Sequence, residues 1–185
     1  MMNNTLFSQQ AAALRDFFSS VDAEDLRASA GGIARHFNLS VSGERDWLEV
    51  EYDFNRLFVG PAAVPAPPYA SAYQEEPSLM GEPALEARDA YRALGLEVPD
   101  KNATPDDHLA FELDAVAALG SVPDGGTGVD RLRAWFVGDH MGGWVPRFIE
   151  AVRRQSGVCD PVLMAVTALS AWLESARSET ALCRS

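Results

Sequence analysis

The sequence has a single lysine, Lys101, and 15 Lys and Arg in all against 27 Asp and Glu, so its 185 residues carry a formal net charge of −12. Nucleic-acid binding needs clustered cations that displace counterions from phosphate, and so few basic residues argue against that partner. Cysteine is also scarce. Cys159 and Cys183 have neither CxxC nor zinc-ligand spacing, which excludes a disulfide framework and a structural zinc site built on cysteine. No run approaches the roughly 18 apolar residues of a membrane span, and residues 1–10 lack the basic start and apolar stretch of a secretory signal. These absences lead to the expectation of a cytoplasmic protein with reduced thiols, no nucleic-acid partner and no stable membrane insertion.

What is present is a chain that is 47% hydrophobic, long enough to bury about 70% of its extended surface and so to form one domain over residues 1–185 without staples. Its apolar residues recur at helical intervals. Phe7, Ala11, Leu14, Phe18 and Val21 form one stripe, Leu26, Ala30, Ile33 and Phe37 a second, and Trp47, Val50, Phe54 and Leu57 a third that stops at Gly60-Pro61. Asp22 is placed to cap the second helix. Residues 59–73 hold four prolines, which remove backbone donors and keep the chain extended, so a long loop is expected there.

A helix is expected from Glu82 to Leu94, where Leu85, Arg88 or Asp89, Tyr91 and Leu94 share faces before Gly95. The next has Thr104 as its expected N-cap and Pro105 in first position, with Asp106 and Asp107 complementing the dipole and Leu109, Leu113, Val116 and Gly120 as its packing stripe. After the break SVPDGGTG at 121–128, helices are expected over Val129–Val137 and, beyond Gly142-Gly143, over Trp144–Gln155. Asp160-Pro161 opens a last helix whose Leu163, Val166, Leu169 or Ser170, and Leu173 face inward. The pattern is all-helical and contains no internal repeat.

Few residues suggest chemistry. DGGTG at 124–128 lacks the lysine that a phosphate-binding loop places after its last glycine. Of His36, His108 and His140, only His108 has carboxylates at useful spacing: Asp107 precedes it, and Glu112 lies one turn on, where imidazole and carboxylate can share a face. That trio supports one competing reading, a small nucleotide-binding or hydrolytic enzyme. No GxSxG or HExxH pattern occurs. The acid itself is uneven, with 16 Asp and Glu against 5 Lys and Arg between residues 44 and 114, a segment suited to a basic ligand.

Three segments in this region resemble the TorD/DmsD family of redox-enzyme maturation chaperones. Glu51-Tyr52 followed by Arg56-Leu57-Phe58-Val59-Gly60-Pro61 is similar to the family's aromatic helix ending in R-L-F-x-G-P. Pro67-Pro68-Tyr69-Ala70-Ser71-Ala72-Tyr73 looks like its P-P-[YW]-x-S-x-Y loop, followed by Leu79-Met80-Gly81-Glu82 and Tyr91. Pro105-Asp106-Asp107-His108-Leu109, then Glu112-Leu113, resembles P-x-D-H-[IL]-x-x-E-L. Ala115 and Val116 replace the Phe and Met that often follow, and Tyr69-Ala70 stands where some members have Trp-Gly.

The resemblance implies an all-helical TorD-like bundle that binds rather than catalyses and carries no cofactor of its own. Its implied partner is the N-terminal twin-arginine signal peptide, and the apo-form, of a molybdopterin-containing oxidoreductase large subunit, held for cofactor insertion before export. The signal-peptide site implied is Tyr69, Ser71, Tyr73, Asp107, His108 and Glu112, with Asp107 and Glu112 facing the basic region, the tyrosines the apolar run, and His108 donating a hydrogen bond or anchoring the loop. Leu57 and Phe58 are expected in the core and Arg56 in an ion pair. The alternative within the family is a NarJ-type chaperone whose client faces the cytoplasm. Dimers occur in the family, and the glycines of 121–128 suggest a hinge there for a minor domain-swapped dimer beside the monomer.

Overall fold

The computed structural model describes residues 4–40, 45–61, 63–77, 81–96, 104–120 and 126–183. Helices follow one another along them: α1 (Asn4–Phe18), α2 (Ala23–His36), α3 (Trp47–Phe54), α4 (Glu82–Ala93), α5 (Leu109–Gly120), α6 (Gly126–Ala134), α7 (Met141–Arg153) and α8 (Asp160–Cys183). A π-helical turn, Asn55–Val59, extends α3, another, Trp135–His140, joins α6 to α7, and a 3-10 turn covers Ala70–Tyr73. The all-helical expectation holds, and the only β pairing among the described residues is an isolated bridge between Tyr69 and His108.

Helix α1 packs against α5, α2 and α8. Its stripe Phe7, Ala11, Leu14 and Phe18 is buried as the periodicity predicts. Phe7 stacks on Trp172 of α8 with ring centroids 5.1 Å apart. Phe17 and Phe18 meet Phe54 and Phe58 of the α3 segment edge-on, and Phe18 and Phe58 both reach Phe148 of α7. Such aromatic contacts add about 0.5–1.5 kcal/mol per pair to area burial, and here they tie three helices to one point. Leu57 and Phe58 lie in this core as expected.

The capping signals succeed where a carboxylate reaches back. Asp22 accepts from the Asp25 amide at 2.9 Å and opens α2, and Asp46 does the same for Leu48 at the start of α3. Glycine closes α4: Gly95 adopts φ +70°, and the Leu96 amide returns to the Tyr91 carbonyl at 2.9 Å.

Several expectations need correction. Val21 does not continue the first stripe; α1 ends at Phe18, and the Ser19-Ser20 turn leaves Val21 79% exposed. Leu85 and Leu163 face outward, at 54% and 38% exposure, while Pro83, Ala84, Ala87 and Val162 take the inner faces. Helix α5 begins at Leu109 rather than Pro105, because residues 105–108 are held as a turn against the preceding loop. Thr104 is therefore not its N-cap. Gly142-Gly143 does not break a helix, since helical structure runs from Gly126 to Arg153 through the π turn. Gly142 serves close approach instead: a Cβ there would lie 3.1 Å from the Val137 carbonyl oxygen and 3.3 Å from Arg177 Nε. Of the expected hinge at 121–128, residues 121–125 lie outside the described residues, and Gly126–Gly128 form the first turn of α6.

Asp53 locks α3 to the start of α8. One carboxylate oxygen accepts from Arg56 at 2.5 and 3.0 Å, realising the expected ion pair, and the other from the Cys159 amide at 2.9 Å. Asp53→Ala strands the Arg56 guanidinium and the partly buried Cys159 amide together and is expected to lower unfolding free energy by about 2 kcal/mol. Asp53→Asn, which keeps one acceptor, is expected to cost about half as much. Urea unfolding of the two variants checks this.

Candidate functional site

The proline-rich loop is held by a small number of backbone bonds, because Pro67 and Pro68 have no amide to give. The Ala66 amide donates to Leu57 O at 3.2 Å, and Pro68 O accepts from Leu109 at 2.9 Å. Beyond the prolines, the Ala70 amide donates to Asp107 O at 3.1 Å and the Ser71 amide to Asp107 Oδ2 at 2.7 Å. Asp107 is fully buried. Its carbonyl and carboxylate both staple the loop to the turn before α5, so it supports the loop from behind. Its neighbour Asp106 receives Arg88 at 2.5 and 3.0 Å, and the Asp106 carbonyl accepts from Tyr91 Oη at 2.8 Å.

His108 does not pair with Glu112, as the sequence spacing suggested. Its Nδ1 accepts the Ala110 amide at 3.1 Å, so the imidazole itself caps α5. Burial pulls its pKa down to about 4, leaving the ring neutral with its proton on Nε2. Tyr69 lies edge-on to His108 at 5.0 Å, and Phe111 lies beyond it at 5.6 Å. All three are only partly buried, so the loop and the first turn of α5 present a row of aromatic rings to the surface.

Glu112 also departs from expectation. It is fully buried, and its Oε1 meets His140 Nε2 at 2.7 Å while Oε2 accepts Trp144 Nε1 at 3.1 Å. Burial pushes the Glu112 pKa up against the opposing pull of His140 and Trp144. Burial pulls His140 down, but Glu112 and Glu86, the latter with Oε2 3.6 Å from Nδ1, leave its pKa raised overall. A buried carboxylate so engaged is not a surface contact for a basic ligand. The trio Asp107, His108 and Glu112 is therefore divided among three separate sets of partners. Among the described residues no group of three or more His, Cys, Asp or Glu comes together to hold a metal ion.

Tyr73 stacks on Trp144 with centroids 5.7 Å apart, and the guanidinium of Arg147 donates to its carbonyl. Burial raises the Tyr73 pKa, so its hydroxyl stays protonated. Three buried atoms along this seam, Ser71 Oγ, Tyr73 Oη and Asp107 Oδ1, have no hydrogen-bond partner within the protein. The exposed acid lies nearby but elsewhere than predicted: Glu75 and Glu76 follow the 3-10 turn, and Glu82 and Glu86 project from α4, which packs on that turn.

Sequence reasoning missed Phe111, His140, Trp144 and Arg147. One signal was available: Glu112 falls among Leu109, Leu113 and Val116 on the buried stripe of α5, and a carboxylate on an inward face requires donors. His140 and Trp144, four residues apart, are a pair able to supply them from one helix face.

The nitrate reductase delta subunit family model matches residues 8–150. A Vibrio cholerae protein named Chaperone protein TorD is 30% identical over 147 residues, covering 76% of this chain and 67% of its own. A Salmonella typhi protein named Tat proofreading chaperone DmsD is 31% identical over 107 residues, covering 56% of this chain and about half, 49%, of its own. Among solved structures, the protein described as a putative redox enzyme maturation protein from Archaeoglobus fulgidus superposes with a TM-score of 0.60 at 20% identity, covering 95% of this chain and 93% of its own. That likeness shows the fold.

The state of His108 predicts a pH dependence. With its native pKa near 4 and an unfolded value near 6.5, the unfolded chain binds a proton between those pH values that the native chain does not. Stability contributed by the neutral ring is full above about pH 6.5 and is lost as pH falls towards 4. Protonated Nδ1 also cannot accept the Ala110 amide. His108→Asn keeps a capping oxygen and removes the titration. Between pH 7 and pH 4.5 the wild type is expected to lose about 2 kcal/mol more than this variant, measured by urea unfolding at both pH values.

Proposed function

We propose that this chain, which belongs to the nitrate reductase delta subunit family and is similar to proteins named TorD chaperones, is a redox-enzyme maturation chaperone holding the N-terminal signal segment of a molybdopterin-containing oxidoreductase subunit. It holds the apo-subunit until its cofactor is inserted, before export. The observation that carries this reading is the half-buried row Tyr69, His108 and Phe111 beside buried polar atoms of Ser71, Tyr73 and Asp107 that have no protein partner. Rings at a surface take up apolar side chains at low entropic cost.

The apolar run of the segment lies along the rings. Its basic part faces the exposed Glu75, Glu76, Glu82 and Glu86, which attract it without the desolvation cost of a buried pair. The buried Asp107 and Glu112 keep the site in shape. No helix among the described residues is long and apolar enough to cross a membrane, consistent with a chaperone that meets its client in the cytoplasm.

A second reading takes its client from the description of the matching family model, nitrate reductase delta subunit: a client that remains cytoplasmic and carries only a vestigial signal. Two fluorescent synthetic peptides separate the readings, one with adjacent arginines before an apolar run and one with both arginines replaced by glutamine. The arginine peptide is expected to bind more tightly and to weaken several-fold as salt rises from about 0.05 to 0.5 M, since screening shortens the range of the acidic rim. Tyr69→Ala is expected to weaken it about tenfold with little change in melting. Equal, salt-insensitive binding of both peptides favours the second reading, and affinity unaffected by Tyr69→Ala overturns the site.

A further inference from the structure

We propose that Glu112, His140 and Trp144 are positioning residues that hold the 69–73 loop in its binding shape from inside the core; this rests on the reading that the loop is the peptide site. The chain of contacts is continuous. Glu112 on α5 receives both His140 and Trp144, at 2.7 and 3.1 Å, so a single carboxylate sets the end of the π turn and the first turn of α7 against α5. The Trp144 indole is in turn the platform under the Tyr73 ring at 5.7 Å with 27° between planes. One turn further, Arg147 holds the Tyr73 carbonyl. Ring and backbone of Tyr73 are thus both fixed by α7, and α7 is fixed at this point by Glu112.

The π turn makes this reach available. Its extra residue shifts the phase of the helix, which places Trp135 and Phe136 around the His140 ring, with centroids 5.0 and 5.8 Å away, while Trp144 faces Glu112. The loop's other anchors, the Asp107 staple and the Tyr69–His108 bridge, lie at residues 68–71. Tyr73 depends on α7. A purely structural buried pair would stabilise the whole bundle equally. This one adjoins the loop and reaches Tyr73 through the Trp144 indole and the α7 turn that carries Arg147.

The test uses Trp144→Phe, which keeps a ring under Tyr73 but removes the donor to Glu112, together with Glu112→Ala and Glu112→Gln. A glutamine can still accept from the indole and donate to neutral His140, so Glu112→Gln is the rescue variant. Amide exchange of residues 69–76 is expected to speed up about tenfold in Trp144→Phe and Glu112→Ala, with α1 and α2 unchanged and Glu112→Gln near wild type. Affinity for the arginine peptide is expected to fall about fivefold in the same two variants, following the loop. Should Glu112→Ala fail to fold, Trp144→Phe and Glu112→Gln decide the matter. Loop exchange in folded Trp144→Phe equal to wild type overturns the proposal, and so does loosening spread evenly over α1 and α2. If the loop responds as expected but the wild type binds no peptide, positioning stands and the peptide reading falls.

Discussion

The site depends on one constraint: a buried carboxylate must find donors. Taking an ionised group out of water costs several kcal/mol, and only hydrogen bonds in good geometry offset that cost. Asp107 meets the constraint with one oxygen, which accepts from the Ser71 amide, while Oδ1 has no partner within the protein. In doing so it decides the path of a loop that, being rich in proline, has few donors of its own with which to choose one. Glu112 meets it with His140 and Trp144, and Asp53 with Arg56 and Cys159. Each joins elements far apart in sequence: Asp107 and Glu112 fix the loop and α7 to α5, and Asp53 fixes the start of α8 to α3.

How much of this was legible follows from the range over which each signal acts. Helix stripes and side-chain caps are local, and Leu14, Ile33 and Leu113 are buried where their spacing predicts, with Asp22 capping α2. Thr104 and Pro105 carry an equally good local cap, yet α5 starts four residues later. Three hydrogen bonds to a loop some 36 residues away, two of them forming the Tyr69–His108 bridge, outweigh a cap of about 1 kcal/mol. The Glu112 partner was misread for a related reason. The i,i+4 rule gives neighbours on one helix surface, but Glu112 points inward, where its neighbours come from another helix.

The acid in residues 44–114 illustrates the difference between composition and placement. Net charge by segment says that a basic ligand is attracted, and says nothing about which carboxylates it meets. Asp53, Asp106, Asp107 and Glu112 are all buried, each with donors inside the protein. What is left at the surface beside the loop is Glu75, Glu76, Glu82 and Glu86. The motif residues that make the chain recognisable are thus mostly those that shape the site, whereas its field comes mostly from residues outside the motifs, Glu75, Glu76 and Glu86.

That division bears on how a single scaffold serves different clients. The internal carboxylates and their partners are coupled: a change at Asp107 or Glu112 strands the donors it held, at about 1–3 kcal/mol for each buried group left unsatisfied. Of the rim glutamates Glu86 is tied to His140, whereas substitutions at the exposed Glu75, Glu76 and Glu82 are expected to alter stability by under about 0.5 kcal/mol. Tyr69 and Phe111 fall between these extremes, anchored on one face by His108 and open on the other. On the proposed reading, client preference is tuned at the rim and along the outer ring faces while the buried network stays constant. Specificity set this way acts through attraction and shape at the surface, with the loop geometry held in common by the core.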